Sequence, residues 1–334
     1  WFAHPEDRGH YSRHFFRPAA DDQVEWTFPF FYKKAAFDAM LPETRALRDA
    51  IDLTEPDLYV ALHNSEMGGV YYYLSRDEPA LYPVLHRIPR HLGIPLNEGE
   101  PEAGYLRPYA PAVFAEPALE EAYEWLEALG VDPYPPGSGG TSSGSYARQT
   151  YGSLTLIAEL PYWRSPDVSD THQTSESYAS VLRRTGEQTA HLAAVLTHMR
   201  ESAGDLVDWT APLAHGAAAF AQMMRDAATV SLARATHPDA ARPATAAERF
   251  GCEDTVRMYR LRYGGMMLRT MTSTPAPTPH VASLAAEMEE RYSEWQAEAA
   301  EADHSDPIAI NALVGVQYGA ILAAAFHLAG RLAP

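Results

Sequence analysis

The feature that most constrains this chain is a change of hydrophobic period near Asp170. Beyond it, five segments repeat apolar residues at three- and four-residue spacing, as amphipathic helices do. They begin near Ser175, Pro212, Ala246, Thr278 and Pro307, and the stretches HPDAARPAT, TSTPAPTP and DHSDP mark breaks between them. Each carries one apolar stripe, so this half of the chain is expected to form a helical bundle or cap. Before Asp170, short apolar runs alternate with helical segments. That order predicts α/β layering, with a mixed sheet and flanking helices over residues 1–170 and an all-helical region over 171–334. The boundary is placed between Ser165 and Thr174.

Within the first region, Pro42 to Leu53 reads as a helix with proline in its first turn and apolar Leu47, Ile51 and Leu53. EPDLYVALHN follows as a short strand ending at about Leu62. EPALYPVLHRIPRHLG is expected to be a helix broken at Pro89. Glu116 to Gly130 gives a stronger helix, with Leu119, Ala122, Tyr123, Leu126 and Leu129 on one side and Gly130 as its stop. Pro133 to Arg148, rich in Pro, Gly and Ser, reads as a long loop or lid. SLTLIAELPYW reads as a buried strand through Ala158, closed by Pro161.

Composition narrows the function. Forty-four acidic residues against 26 Lys and Arg leave a formal charge of −18, which disfavours nucleic acid and anionic lipid. A peptide or small molecule is the expected partner. Cys252 is the only cysteine, so an intrachain disulfide and a cysteine-rich zinc knuckle are excluded, and a reducing, cytoplasmic setting fits. No membrane span is expected: ALVGVQYGAILAAAFHLAG carries Gln317, Tyr318 and His327 and reads as a buried helix. The helical region leaves homo-oligomerisation open.

Four groups have chemistry to offer. His63 stands at the expected carboxyl end of its strand, where α/β sheets place ligand sites, and serves either as a packed residue or as a metal ligand. Glu66, three residues on, is followed by the poor helix former MGG and reads as a solvated or loop-fixing carboxylate. Glu159 closes the apolar run LTLIA, so its charge must be hydrogen-bonded, paired or at work; beside a metal-bound water it would shuttle a proton. Arg13 and Arg17 bracket HFF and suit a substrate carboxylate or a polarised carbonyl, or else fix a surface loop. Tyr146, in the expected loop, can offer a hydroxyl to a substrate, with Asn64 and Tyr71 completing the substrate-facing set.

Taken together, YSRHFFRP, EWTFPF, LPETRALRDAI, EPDLYVALHN, GGVYYYL and SLTLIAELPYW resemble the second half of the catalytic domain of zinc metallocarboxypeptidases of the carboxypeptidase A type. The resemblance covers about Trp1 to Pro166 and implies a carboxypeptidase-like fold there. It implies zinc-dependent hydrolysis of a peptide or amide bond, with His63 as the later histidine ligand, Glu159 as general base and acid, and Arg13 as the substrate-binding arginine with Arg17 nearby. GGVYYYL would shape the pocket. Ser12 and His14 stand where the family pattern has asparagines. The family's early HxxE motif does not precede this segment, so the resemblance also implies an N-terminally incomplete chain, with one zinc in the complete protein and weak or no binding here. Two further readings stay open: a non-catalytic scaffold of the same fold, and an amidohydrolase acting on a non-peptide amino-acid conjugate.

Overall fold

A computed structural model describes residues 4–331 as a mixed α/β protein, with ten helices, a six-stranded mixed sheet and two small two-stranded sheets among them. The chain opens with a short helix, α1 (Arg8–Arg13), and a hairpin of β1 (Phe30–Tyr32) and β2 (Ala35–Phe37). Helix α2 (Pro42–Thr54) starts on its proline as expected. It leads into β3 (Leu58–Gly68), which runs well past Leu62 because Ser65 and Met67 still pair with the neighbouring strand. His63 is therefore mid-strand. After β4 (Tyr71–Leu74) comes α3 (Tyr82–His91), which Pro89 does not break. Proline removes the N–H that would bond the Leu85 carbonyl; the Tyr72 hydroxyl donates to that carbonyl instead, at 3.0 Å.

Strands β5 (Pro108–Ala110) and β6 (Val113–Ala115) precede α4 (Leu119–Ala128), which is shorter than the expected helix and leaves Glu116 at a strand end. The last six residues of the expected lid are helix: α5 (Ser143–Tyr151) begins inside it, with the Ser142 hydroxyl accepting from the Ser145 N–H at 2.9 Å. Strand β7 (Leu154–Arg164) passes through Pro161. The missing N–H is tolerated there because β4 pairs only as far as Glu159.

β7 is the spine of the sheet. It pairs in parallel with β3 on one side and antiparallel with β4 on the other, and β4 continues to β6 and β5. Side chains alternate across a strand, so Leu154, Leu156, Ala158 and Leu160 join a core with Leu81, Leu85, Tyr72 and Leu74. The opposite face carries Tyr59, Ala61 and His63 beside Thr155, Ile157 and Glu159, and α5 covers its amino-terminal part.

Beyond β8 (Gln173–Ser177), the expected helices appear: α6 (Tyr178–Ala203) and α7 (Pro212–Arg234), then α8 (Ala246–Thr272) after β9 (Pro243–Thr245), and α9 (Pro279–Ala302). Thr245 and Glu248 close a capping box at the start of α8. These four helices share a core of Leu192, Met199, Phe220, Met224, Met266, Met267 and Trp295. The fifth helix belongs elsewhere. A two-residue strand, β10 (Asp306–Pro307), pairs with β7, and α10 (Ile310–Leu328) packs Leu313, Val316, Ala320 and Ala324 on the sheet. The change of period at Asp170 thus marks where helices begin, while packing crosses it in both directions.

α10 is long and apolar enough to cross a membrane by length and composition, with a mean hydropathy of 1.4 over its window. The expectation of a buried helix needs correction, because only 28% of its apolar stretch is buried.

Candidate functional site

The register of β3 against β7 sets His63 directly beside Glu159, and that of β4 against β7 sets Tyr71 beside Glu159 on the other side. His63 Nδ1 lies 3.0 Å from Glu159 Oε1. Its other nitrogen, Nε2, lies 3.5 Å from Glu25 Oε2, on the turn that precedes β1. Glu25 is itself steadied by the Trp26 indole N–H at 3.1 Å. Burial opposes charge on the imidazole, but the hydrogen bonds to Glu159 and then Glu25 outweigh it and push His63 up to about 10. Glu25 is held below the usual carboxylate range, first by its hydrogen bond to His63.

A third carboxylate completes the group. The Tyr73 hydroxyl donates to Glu102 Oε2 at 2.6 Å. Surrounding protein raises the Glu102 carboxyl first by desolvation and then through the charge of Glu159, while Arg17 and His63 work the other way. Glu102 nevertheless keeps an exposed surface, so the group meets solvent there, while Glu159 itself is buried. Tyr71 and Tyr73 stand edge to face, 5.6 Å between centroids, as part of the wall of this recess.

The site therefore gathers Glu25, His63, Tyr71, Tyr73, Glu102 and Glu159, with Arg17 near enough for its charge to act on Glu25 and Glu102. Sequence reading reached His63, Glu159, Tyr71 and Arg17. It missed Glu25, in a single 3-10 turn, and Glu102, outside strands and helices, both in segments without any periodic signal.

Three expected site residues lie elsewhere. Arg13 donates to both oxygens of Glu289 on α9, at 2.9 and 2.8 Å, and sits over the Tyr292 ring; four residues along, Arg17 takes the position near the recess. Tyr146 is fixed in α5, its hydroxyl on Asp52 at 2.7 Å and its ring against Phe28. Asn64 alternates to the face opposite His63 and is exposed there. Glu66 also points away from His63. It is fully buried, with Arg8 Nε at 2.5 Å and Arg262 Nε at 2.6 Å, and is neither solvated nor a loop fixture.

Zinc is tested by the donors. A zinc site converges three or four atoms, and an imidazole must be neutral to ligate. Here each ring nitrogen of His63 faces a different carboxylate, and the ring holds its proton up to about 10. The group therefore does not fit zinc with the described residues alone. Asp21, Asp22 and His215 do converge, their ligand atoms within 4.8 Å of one another. There, a 2.7 Å hydrogen bond from His215 to Asp22 ties the first turn of α7 to the turn at residues 20–22. Comparison with family models, curated proteins and solved structures finds no match to this chain.

Proposed function

We propose that the recess around Glu159 hydrolyses an amide bond, of a peptide or of a small amino-acid conjugate, in the carboxypeptidase manner that the sequence resemblance implies. The observation that carries this reading is the 3.0 Å contact between His63 and Glu159 at one register position of adjacent parallel strands. Glu159 takes a proton from water as the oxygen adds to the carbonyl carbon, then delivers it to the leaving nitrogen as the C–N bond breaks. The His63 imidazolium, with one ring nitrogen on Glu159 and the other on Glu25, has no N–H left to donate to the carbonyl oxygen, and acts there only by adding positive charge beside it. Arg17 at the rim suits a free substrate carboxylate. Zinc enters this reading only with donors additional to His63, so no step above is assigned to it.

A second reading has its own support. An imidazolium clamped between two carboxylates is also what an inert structural network looks like, as a non-catalytic scaffold would have.

The two separate in one experiment. The protein is assayed, with and without added zinc, against peptides and N-acyl amino acids carrying a free carboxylate. Glu159→Gln is expected to lower kcat/KM by about 10²- to 10⁴-fold. Hydrolysis that survives this substitution within threefold sinks the role of Glu159. No turnover of any substrate under either condition favours the scaffold.

A further inference from the structure

Where α6 gives way to α7, the helical region leaves a cavity of about 300 Å³. Thr197, Arg200 and Glu201 line it from α6, at the three- and four-residue spacing that sets side chains on one helix face. Asp205 and Trp209 border it from the connection that follows, and Arg225 reaches it from α7. Four of these side chains are charged, two of each sign. Among the described residues none of the four makes an ion pair, either with another of them or with a group elsewhere.

What holds the arginines is neutral. The Arg225 guanidinium donates from Nη1 to the Thr197 hydroxyl, and from Nε, at 3.1 Å, and Nη2 to the Gln222 side-chain oxygen, which leaves one N–H on each Nη atom. Arg200 lies over the Trp209 ring, 6.0 Å from its centroid, and that indole is fixed by its own N–H on the Gly204 carbonyl at 2.9 Å. Glu201 and Asp205 accept no hydrogen bond from a described residue. Both stand at the carboxyl end of α6, where the helix dipole favours a positive charge. One cavity therefore carries an arginine fork positioned without a carboxylate, and carboxylates left without a cation.

We propose that this cavity binds a free α-amino acid, with its carboxylate on the Arg225 fork beside Arg200 and its ammonium at Glu201 and Asp205. A ligand of one charge would complete half of the lining and meet like charge in the other half. A zwitterion completes both halves. Being neutral overall, it is also not repelled by a chain of charge −18, as a plain anion would be. The cavity stands at the small end of ligand sites, which suits a molecule of this size, and Trp209 offers an apolar surface to its side chain. The neutral partners of Arg225 and Arg200 hold both cations in place before the ligand arrives, which lowers the entropy lost on binding. The site does not depend on what the recess at the sheet does.

Calorimetric titration of the whole chain with L-leucine, N-acetyl-L-leucine and L-leucinamide tests this, because the three share a side chain and differ in their charged poles. Leucine is expected to bind with a Kd of about 0.1–1 mM, and each derivative about tenfold more weakly or worse. Arg225→Gln is expected to remove the carboxylate pole and bring leucine and leucinamide within threefold of each other. Glu201→Gln combined with Asp205→Asn is expected to do the same for leucine and N-acetyl-leucine. All three substitutions fall outside the recess, and circular dichroism checks that the variants fold. The site is overturned by no heat of binding at about 10 mM leucine, or by wild type binding all three ligands within threefold. It is equally overturned by leucine affinity that persists within threefold in both variants, which would place the amino acid elsewhere, the recess included.

Discussion

Two glutamates on neighbouring strands of one sheet are treated in opposite ways. Glu66 on β3 lies between Arg8 and Arg262, and Arg8 also engages both oxygens of Asp254 at 3.0 Å. Every charge there has a partner, and the cluster joins α1, the sheet and α8. Glu159 on β7 has one imidazole within reach and shares its surroundings with Glu25 and Glu102. Positive charge is in deficit, and although Glu159 is itself buried, Glu102 beside it reaches solvent. Full compensation makes a clasp, whereas a deficit leaves a position for a substrate or cation to complete. Resemblance of sequence points to the same pair of residues, but this contrast stands without it.

The comparison breaks first at the clasp. Glu66→Ala strands the buried Arg262 guanidinium and leaves Arg8 with Asp254 alone, and is expected to cost about 3–5 kcal/mol in urea unfolding. A loss below about 1 kcal/mol would mean that the clasp is no more closed than the recess. Glu116 sharpens it from between the extremes. This buried carboxyl has Arg148 no nearer than 4.0 Å, and neither oxygen makes a hydrogen bond, although Ser142 and Thr155 lie close. A Cβ at Gly144 would stand 2.5 Å from its Oε1, so glycine is required there. Burial pushes the carboxyl up from 4.5 to about 7. The neutral form is the one the fold prefers, so its contribution is whole below pH 4.5 and is lost as pH rises to about 7. Glu116→Gln is therefore expected to gain about 3 kcal/mol at pH 8 and almost nothing at pH 4, measured by denaturation at both.

Smaller effects probe the recess itself. The Tyr73 hydroxyl favours the charged form of Glu102, so Tyr73→Phe is expected to move the acid limb of a pH–rate profile upward and to cost about 1 kcal/mol in stability. An unmoved limb would detach Glu102 from the chemistry. Least of all, Arg13→Ala is expected to cost under about 1 kcal/mol, because its pair with Glu289 is solvent-screened on both sides. It is also expected to leave turnover unchanged, and a large loss of turnover would return Arg13 to the site.

Local signals were legible and remote ones were not. Pro42 at the head of α2, the breaks between the late helices and the apolar run before Glu159 all announce themselves within a few residues. Pro89 and Pro161 misled because what tolerates them is distant: a hydroxyl from Tyr72 for the first, a gap in strand pairing for the second. The start of α5 was hidden in a Ser- and Gly-rich stretch whose cap is a single serine. His63 and Glu159 were found because a polar residue after an apolar run stands out, although both strands run on past them. Glu25 and Glu102 had no such setting, and only the folded chain brings them near.

The return of β10 and α10 to the sheet has a kinetic consequence. Leu154, Leu156, Ala158 and Leu160 emerge from the ribosome long before Leu313, Val316 and Ala320, which cover them. At about 5–20 residues per second, the intervening helices occupy roughly 8–30 s of synthesis, during which that face of the sheet lacks its α10 cover. The length of the helical excursion thus sets the interval for which that face of the nascent sheet waits for α10.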